Sequence, residues 1–264
     1  MKIPCFHVDA FSDRPFGGNP AAVCPLEEWL PDPLMQSIAA ENALSETAFF
    51  VRRADGDFDL RWFTPAVEVD LCGHATLASA LVVFAQLEPG RAAVRFHTRS
   101  GPLEVEREGA LLAMDLPAWM PREVAASEEV ALAIGCRPQE VLLGRDLVVV
   151  VATAEEVRAL APDLARVAAL DAFAVCITAP GSGPDADVDF VSRFFAPAKG
   201  VPEDPVTGSA HCQLVPYWAR RLGKTRLRAR QVSRRGGELE GELRGDRVRL
   251  LAAACLVKTG SLLL

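Results

Sequence analysis

The residues whose types and spacing could do chemistry lie in three short stretches of the chain. Glu46 alternates in phase with Leu44, Ala48 and Phe50, so a strand here turns its carboxyl toward an apolar face. On such a face desolvation favours the neutral acid, and a carboxyl brought toward neutrality can both take and return a proton. The competing reading is the ordinary one, a solvated charge at a strand start. His74 falls in the first turn of an apolar run. A helix N-terminus lowers the pKa of a nearby imidazole, so a neutral, hydrogen-bonding His74 is expected, either in a site or as a satisfied structural histidine. Asp204 precedes Pro205, where the backbone is biased to extended structure, and stands three residues ahead of a second helix opening. It serves either the site or only a cap or turn.

Two other chemistries use neighbouring residues. A two-thiol racemase needs one cysteine at each helix opening; Cys72 stands at the first, but the matching position of the second is Thr207. A hydroxyl is far too weak an acid to replace a thiolate without special activation, which favours a one-base reaction. A metal site could draw on Cys72, His74, His211 and Cys212. Adjacent residues on a helix point about 100° apart and the spacing matches no structural zinc motif, so no metal is expected.

These residues must be positioned by repeated elements. Arg61-Trp62-Phe63-Thr64-Pro65-Ala66 reads like Arg193-Phe194-Phe195-Ala196-Pro197-Ala198, 132 residues later, which is half the chain length. Each copy is followed by a polar connection, of five and then eight residues, and by a small-residue segment opening an apolar run: Cys72-Gly73-His74-Ala75-Thr76-Leu77, then Thr207-Gly208-Ser209-Ala210-His211-Cys212. Residues 74 to 87 carry no charge and are apolar around the whole helical circumference, which predicts a buried helix. The second run, Ser209 to Leu222, contains Pro216, expected to kink or interrupt it, and ends at Gly223. Strands are predicted over residues 6–11, 47–51, 59–63, 111–116, 147–151, 187–195, 226–232 and 247–257, and helices over 127–134 and 154–160.

The pattern predicts an α+β fold of two similar halves, residues 1–117 and 118–264, the first completed by the last strand of the chain. Each half is a mostly antiparallel sheet wrapped around a central buried helix. Both helix openings then face one cleft, and their unpaired N–H groups make a trap for a carboxylate. The alternative is that Gly73 and Gly208 only allow a turn to pack closely.

Composition narrows the classes further. Half of the 264 residues are hydrophobic and 24% are charged, as in a globular protein with a sizeable core. No stretch is long and apolar enough to cross a bilayer and the start lacks a signal-peptide pattern, so no membrane contact and a cytoplasmic place are expected. Seven scattered cysteines suggest neither a disulfide framework nor a zinc ribbon; most are expected reduced and buried. A net charge of −7 argues against nucleic acid as a partner. The basic run Arg220 to Arg235, in which Arg226, Arg228 and Arg230 alternate with Leu227 and Ala229, reads as the wet face of a strand.

Four motifs carry a resemblance that spans the chain: Gly18-Asn19-Pro20-Ala21-Ala22-Val23, Ser45-Glu46-Thr47-Ala48-Phe49, Cys72-Gly73-His74-Ala75-Thr76 and Glu203-Asp204-Pro205-Val206-Thr207-Gly208-Ser209-Ala210. In order and spacing they resemble the PhzF-like family of phenazine biosynthesis, whose fold is that of diaminopimelate epimerase. The resemblance implies a homodimeric isomerase that needs no cofactor or metal, moves a proton on a small carboxylate-bearing substrate, and uses Glu46 as acid/base. It further implies that His74 and Asp204 are polar partners and that Gly73 and Ser209, with Asn19 and Gly208, hold the substrate. The segment Ser233 to Leu239 departs from the best-known phenazine enzymes, which takes the phenazine substrate itself out of the expectation. The remaining alternatives are an amino-acid racemase or epimerase and a non-catalytic binding protein on the same fold.

Overall fold

The computed structural model describes residues 1–264. The chain divides into two compact units, Met1–Asp115 with Leu251–Leu264, and Leu116–Leu250. Each is a mixed sheet with few helices.

The first unit contains β1 (Lys2–Ala10), β2 (Asn19–Leu26), α1 (Asp32–Asn42), β3 (Glu46–Arg52), β4 (Phe58–Phe63), β5 (Glu68–Val69), α2 (Gly73–Val82), β6 (Ala93–Thr98), β7 (Gly101–Glu108), β8 (Leu111–Pro117) and, from the end of the chain, β18 (Ala254–Leu263). Neighbours run antiparallel at β18–β1, β1–β2, β3–β4, β4–β5, β6–β7 and β7–β8. The pairs β2–β3 and β4–β6 are parallel. The sheet is mostly antiparallel, as expected, but mixed: each parallel pair is joined across a helix, α1 or α2, and a helical crossover returns the chain in the same direction.

Both faces of this sheet are covered. Helix α1 lies on one, where Met35, Ile38 and Ala39 pack with Cys5, Ala22, Cys24, Phe49 and Phe63. Helix α2 lies on the other, against β1, β2, β3, β7 and β18. Apolar on every side, α2 has eight of its ten residues buried. It does not run unchanged to residue 87 as its composition suggests; Val83–Leu87 form one turn of π-helix.

The second unit contains β9 (Arg122–Val124), α3 (Glu128–Ile134), β10 (Glu140–Leu143), β11 (Leu147–Val150), α4 (Ala154–Ala159), α5 (Leu164–Ala169), β12 (Val175–Pro180), β13 (Phe190–Ala196), β14 (Val201–Asp204), α6 (Gly208–Leu222), β15 (Arg226–Gln231), β16 (Gly237–Arg244) and β17 (Arg247–Ala252). Parallel pairing occurs at β11–β12 and β13–β15, again across helices, and antiparallel pairing at β9–β10, β10–β11, β12–β13, β13–β14 and β15–β16. One core holds Val130, Ile134, Val157 and Val167 from α3, α4 and α5 against Val149, Ile177 and Phe195 of the strands.

Helix α6 carries the second buried run. Trp218 stacks on Phe190 with ring centroids 5.8 Å apart and donates its Nε1–H to Thr178 Oγ1 at 3.0 Å. Pro216 does not interrupt this helix, contrary to expectation. Proline takes away the donor that the carbonyl four residues earlier would use. That carbonyl, on Cys212, accepts instead from the backbone N–H of Trp119 at 2.8 Å, so no buried acceptor is left empty.

The basic run lies on β15 as a solvated face. Arg230 pairs with Glu238 of β16 directly across the ladder, and Arg226 with Glu240, two residues from its cross-strand neighbour. All seven cysteines are free, and five of them are buried.

Candidate active site

Glu46 is the first residue of β3, and what precedes it sets its place. Helix α1 ends at Ala43 in the left-handed conformation, with the Ala43 N–H bonded to the Ala39 carbonyl at 3.2 Å. Asn42, the last helical residue, donates from Nδ2 to Thr47 Oγ1 at 3.1 Å and pins the strand start. Register then decides direction. Phe49 points under α1, so the alternating set Glu46, Ala48 and Phe50 points the other way, toward α2.

There Glu46 meets the opening of α2. Oε2 of Glu46 stands 3.1 Å from Nε2 of His74, with the Glu46 side chain 18% exposed and that of His74 8%. Neither atom has another hydrogen-bonding partner. The ring N–H is not aimed straight along the contact, so the pair is an ion pair more than an aligned hydrogen bond. The other ring nitrogen, Nδ1, lies 3.4 Å from Sγ of Cys72. Carboxyl, imidazole and thiol thus form a line of three groups, the first half-buried and the other two buried.

The charge state of His74 differs from the neutral imidazole expected. Burial works to lower its pKa, but the negative charge available on Cys72 and Glu46 outweighs that and raises it well above the ordinary value. The thiol of Cys72 is itself pushed up, by burial first and by the Glu46 charge second. Groups at contact distance thus override the weaker effect of a helix N-terminus on His74.

Two further residues of the first unit belong with this opening. Gly73 leads the helix, and a Cβ there would come 3.3 Å from the methyl of Met114, so the glycine lets that methyl press on the first turn. Asn19 begins β2 and is wholly buried. Because Ala21 pairs with Glu46, Asn19 shares the face of the sheet on which Glu46 lies, one strand over.

Asp204, Gly208 and Ser209 belong to the second unit. Asp204 ends β14, and its carboxylate accepts the hydroxyl of Thr207 in a short hydrogen bond. Gln231, unremarked in the sequence, ties this turn together. Its Nε2 donates to the Asp204 carbonyl at 2.7 Å and its Oε1 accepts the Thr207 N–H at 2.9 Å. The only sequence signal was a glutamine closing a strand of arginines. Gly208 begins α6, and Ser209 follows it, half-buried.

The paired sequence repeat also has a structural purpose. Arg61 grips Glu68 with two hydrogen bonds, at 2.7 and 2.9 Å, across the β4–β5 turn that leads into α2. Arg193 grips Glu203 in the same bidentate way, at 2.7 and 3.0 Å, across the β13–β14 turn that leads into α6. Each guanidinium also covers the phenyl ring two residues on, Phe63 or Phe195.

Two clusters offer metal-ligand atoms within 4.8 Å of one another: Glu46, Cys72 and His74, and the more exposed Asp55, Asp57 and His97. In the first, the His74 ring lies between the Glu46 carboxyl and the Cys72 thiol. In the second, Arg53 and Arg91 already neutralise the aspartates. The other residues weighed for a metal, His211 and Cys212, do not belong to either cluster. His211 Nδ1 lies 2.8 Å from the Thr207 carbonyl, burial lowers its pKa to about 4, and Cys212 turns its thiol toward the Gly208 carbonyl.

Comparison with known proteins identifies the family of the chain. The family described as phenazine biosynthesis-like protein matches residues 8–260. Two uncharacterized isomerases of Pseudomonas aeruginosa are 54% and 52% identical to the chain, covering 99% of both sequences in one case and 98% in the other. The crystal structure of a PhzF-family phenazine biosynthesis protein from Enterococcus faecalis superposes with a TM-score of 0.96 at 45% identity over 100% of both chains. A probable proline racemase from Agrobacterium radiobacter shares the fold alone, with a TM-score of 0.68 at 11% identity over 99% of this chain and 93% of that one. With a family match over nearly its whole length and full-length relatives above half identity, the chain belongs to the phenazine biosynthesis-like, or PhzF, family.

Proposed function

We propose that this protein is a cofactor-independent isomerase that moves a proton on a small carboxylate-bearing substrate, with Glu46 as the single general acid/base. The observation that carries the reading is the half-buried Glu46 carboxyl beside the His74 imidazole at the opening of α2. A carboxylate there takes a proton from one substrate carbon and, as the acid, returns it to another on the same face. The imidazolium beside it steadies the anionic form between the two steps. Relatives named isomerases support the reaction class.

Gly73, His74 and Asn19 in the first unit, and Asp204, Gly208 and Ser209 in the second, are proposed to hold the substrate. The unpaired N–H groups of the first helical turn suit a carboxylate group. We also read the two units as copies of one plan, a sheet about a buried helix. The Arg–Glu grips before α2 and α6 and the matching parallel pairs support that reading. A thiol racemase is disfavoured, because burial raises the Cys72 thiol and the Thr207 hydroxyl is committed to Asp204. No helix is long and apolar enough to cross a membrane, and we propose a cytoplasmic homodimer.

The test is a screen of cyclic and acyclic unsaturated amino and hydroxy acids in deuterium oxide, with the label followed by NMR. Isomerisation that keeps part of the original protium supports Glu46 acting alone. Solvent label appearing with inverted configuration at one carbon would overturn the one-base reading in favour of racemisation.

A further inference from the structure

Cys72 is the N-cap residue of α2, yet its side chain makes no capping hydrogen bond. Its backbone is clamped instead: the Cys72 carbonyl accepts both the N–H of Thr76 at 3.2 Å and its hydroxyl at 2.6 Å. That clamp fixes the direction of the Cα–Cβ bond and sends the sulfur to Nδ1 of His74, 3.4 Å away. The imidazole, 7% exposed, is held at its two ends by groups of different kind, sulfur at Nδ1 and carboxylate at Nε2.

We propose that Cys72 is a positioning residue, whose sulfur holds the His74 ring so that Nε2 stays on Glu46. The inference rests on the reading of Glu46 as the acid/base. In the charged imidazole both nitrogens are donors, and each needs an acceptor when buried. Sulfur supplies one and Glu46 the other. Removing the sulfur leaves the Nδ1–H without a partner, and the cost falls on the protonated ring. The opening of α6 has no such device: Thr207 and Ser209 occupy the places of Cys72 and His74, and the Thr207 hydroxyl is turned to Asp204. The sulfur therefore acts only where an imidazole must be steered.

The experiment compares Cys72→Ala and Cys72→Ser with the parent protein, using ¹⁵N-histidine NMR titration of His74 and the pH dependence of substrate proton exchange. Cys72→Ala is expected to lower the His74 midpoint by about one pH unit, the size of an ordinary environmental shift. It is expected to move the acid limb of the rate profile with the midpoint and to keep most of the exchange activity. Cys72→Ser, which restores an acceptor, is expected to return the midpoint toward the parent value. A His74 midpoint unmoved in Cys72→Ala, or not restored in Cys72→Ser, overturns the proposal. So does complete loss of exchange in both folded variants, which would make the thiol itself a proton carrier. The titration needs no substrate, so a failure of the Glu46 reading shows separately, as exchange that survives Glu46→Gln.

Discussion

Oε2 of Glu46 lies 3.1 Å from Nε2 of His74, a contact that joins the first residue of β3 to the second residue of α2. Replacing Glu46 with Gln keeps the side-chain volume and removes the charge and the proton-carrying oxygen. Exchange activity is expected to fall roughly 10² to 10⁴-fold, the contribution typical of general acid–base groups, with the fold unchanged by circular dichroism. The His74 midpoint is expected to drop as well, because the carboxylate that raised it is gone. Activity within about tenfold of the parent would remove Glu46 from the acid/base role.

Asp146 gives a prediction about stability. It is fully buried, accepts Nε2–H of Gln213 at 2.7 Å, and burial raises its pKa to about 6, against the opposing pull of Arg145. A carboxyl raised in the folded state works against the fold once its unfolded counterpart ionises. Its effect is neutral below the unfolded value of about 3.9, grows unfavourable as pH rises from there to about 6, and then levels off. Asp146→Asn is therefore expected to stabilise the protein by about 2 kcal/mol at pH 8 and by nothing at pH 4. Urea denaturation of both proteins at the two pH values checks this, and an equal difference at both would contradict it.

Gly18 turns the chain into β2 with φ +61°, and a Cβ there would lie 2.0 Å from the Ala10 carbonyl oxygen. Gly56 has φ +89° but open space around it. Alanine at Gly18 must pay both strain and a backbone clash, so it is expected to lower stability by well over 1 kcal/mol, more than alanine at Gly56. Thermal denaturation of the two variants distinguishes them; equal midpoints would mean that the loop moves aside freely.

Assembly is a separate expectation. Light scattering at micromolar concentration is expected to give twice the 28.4 kDa chain mass. A single species of the chain mass would rule out the homodimer.

Much of this protein was determined within short windows of its sequence. The apolar circumference of α2, the phase of Glu46 along β3 and the alternating arginines of β15 all follow from periodicities of two or 3.6 residues. Tertiary structure decided the rest, because each remaining feature depends on a partner far along the chain. The proline expected to break α6 is tolerated because Trp119 supplies the missing donor. The parallel strands arise from where α1 and α2 set their neighbours down, which composition does not encode. The pKa of His74 is raised because packing brings the Cys72 sulfur to its Nδ1 and strand register brings the Glu46 carboxylate to its Nε2, and groups at contact distance outweigh the local helix dipole. Residue type and spacing named the chemical groups, and only packing set the distances that give them their charge and their use.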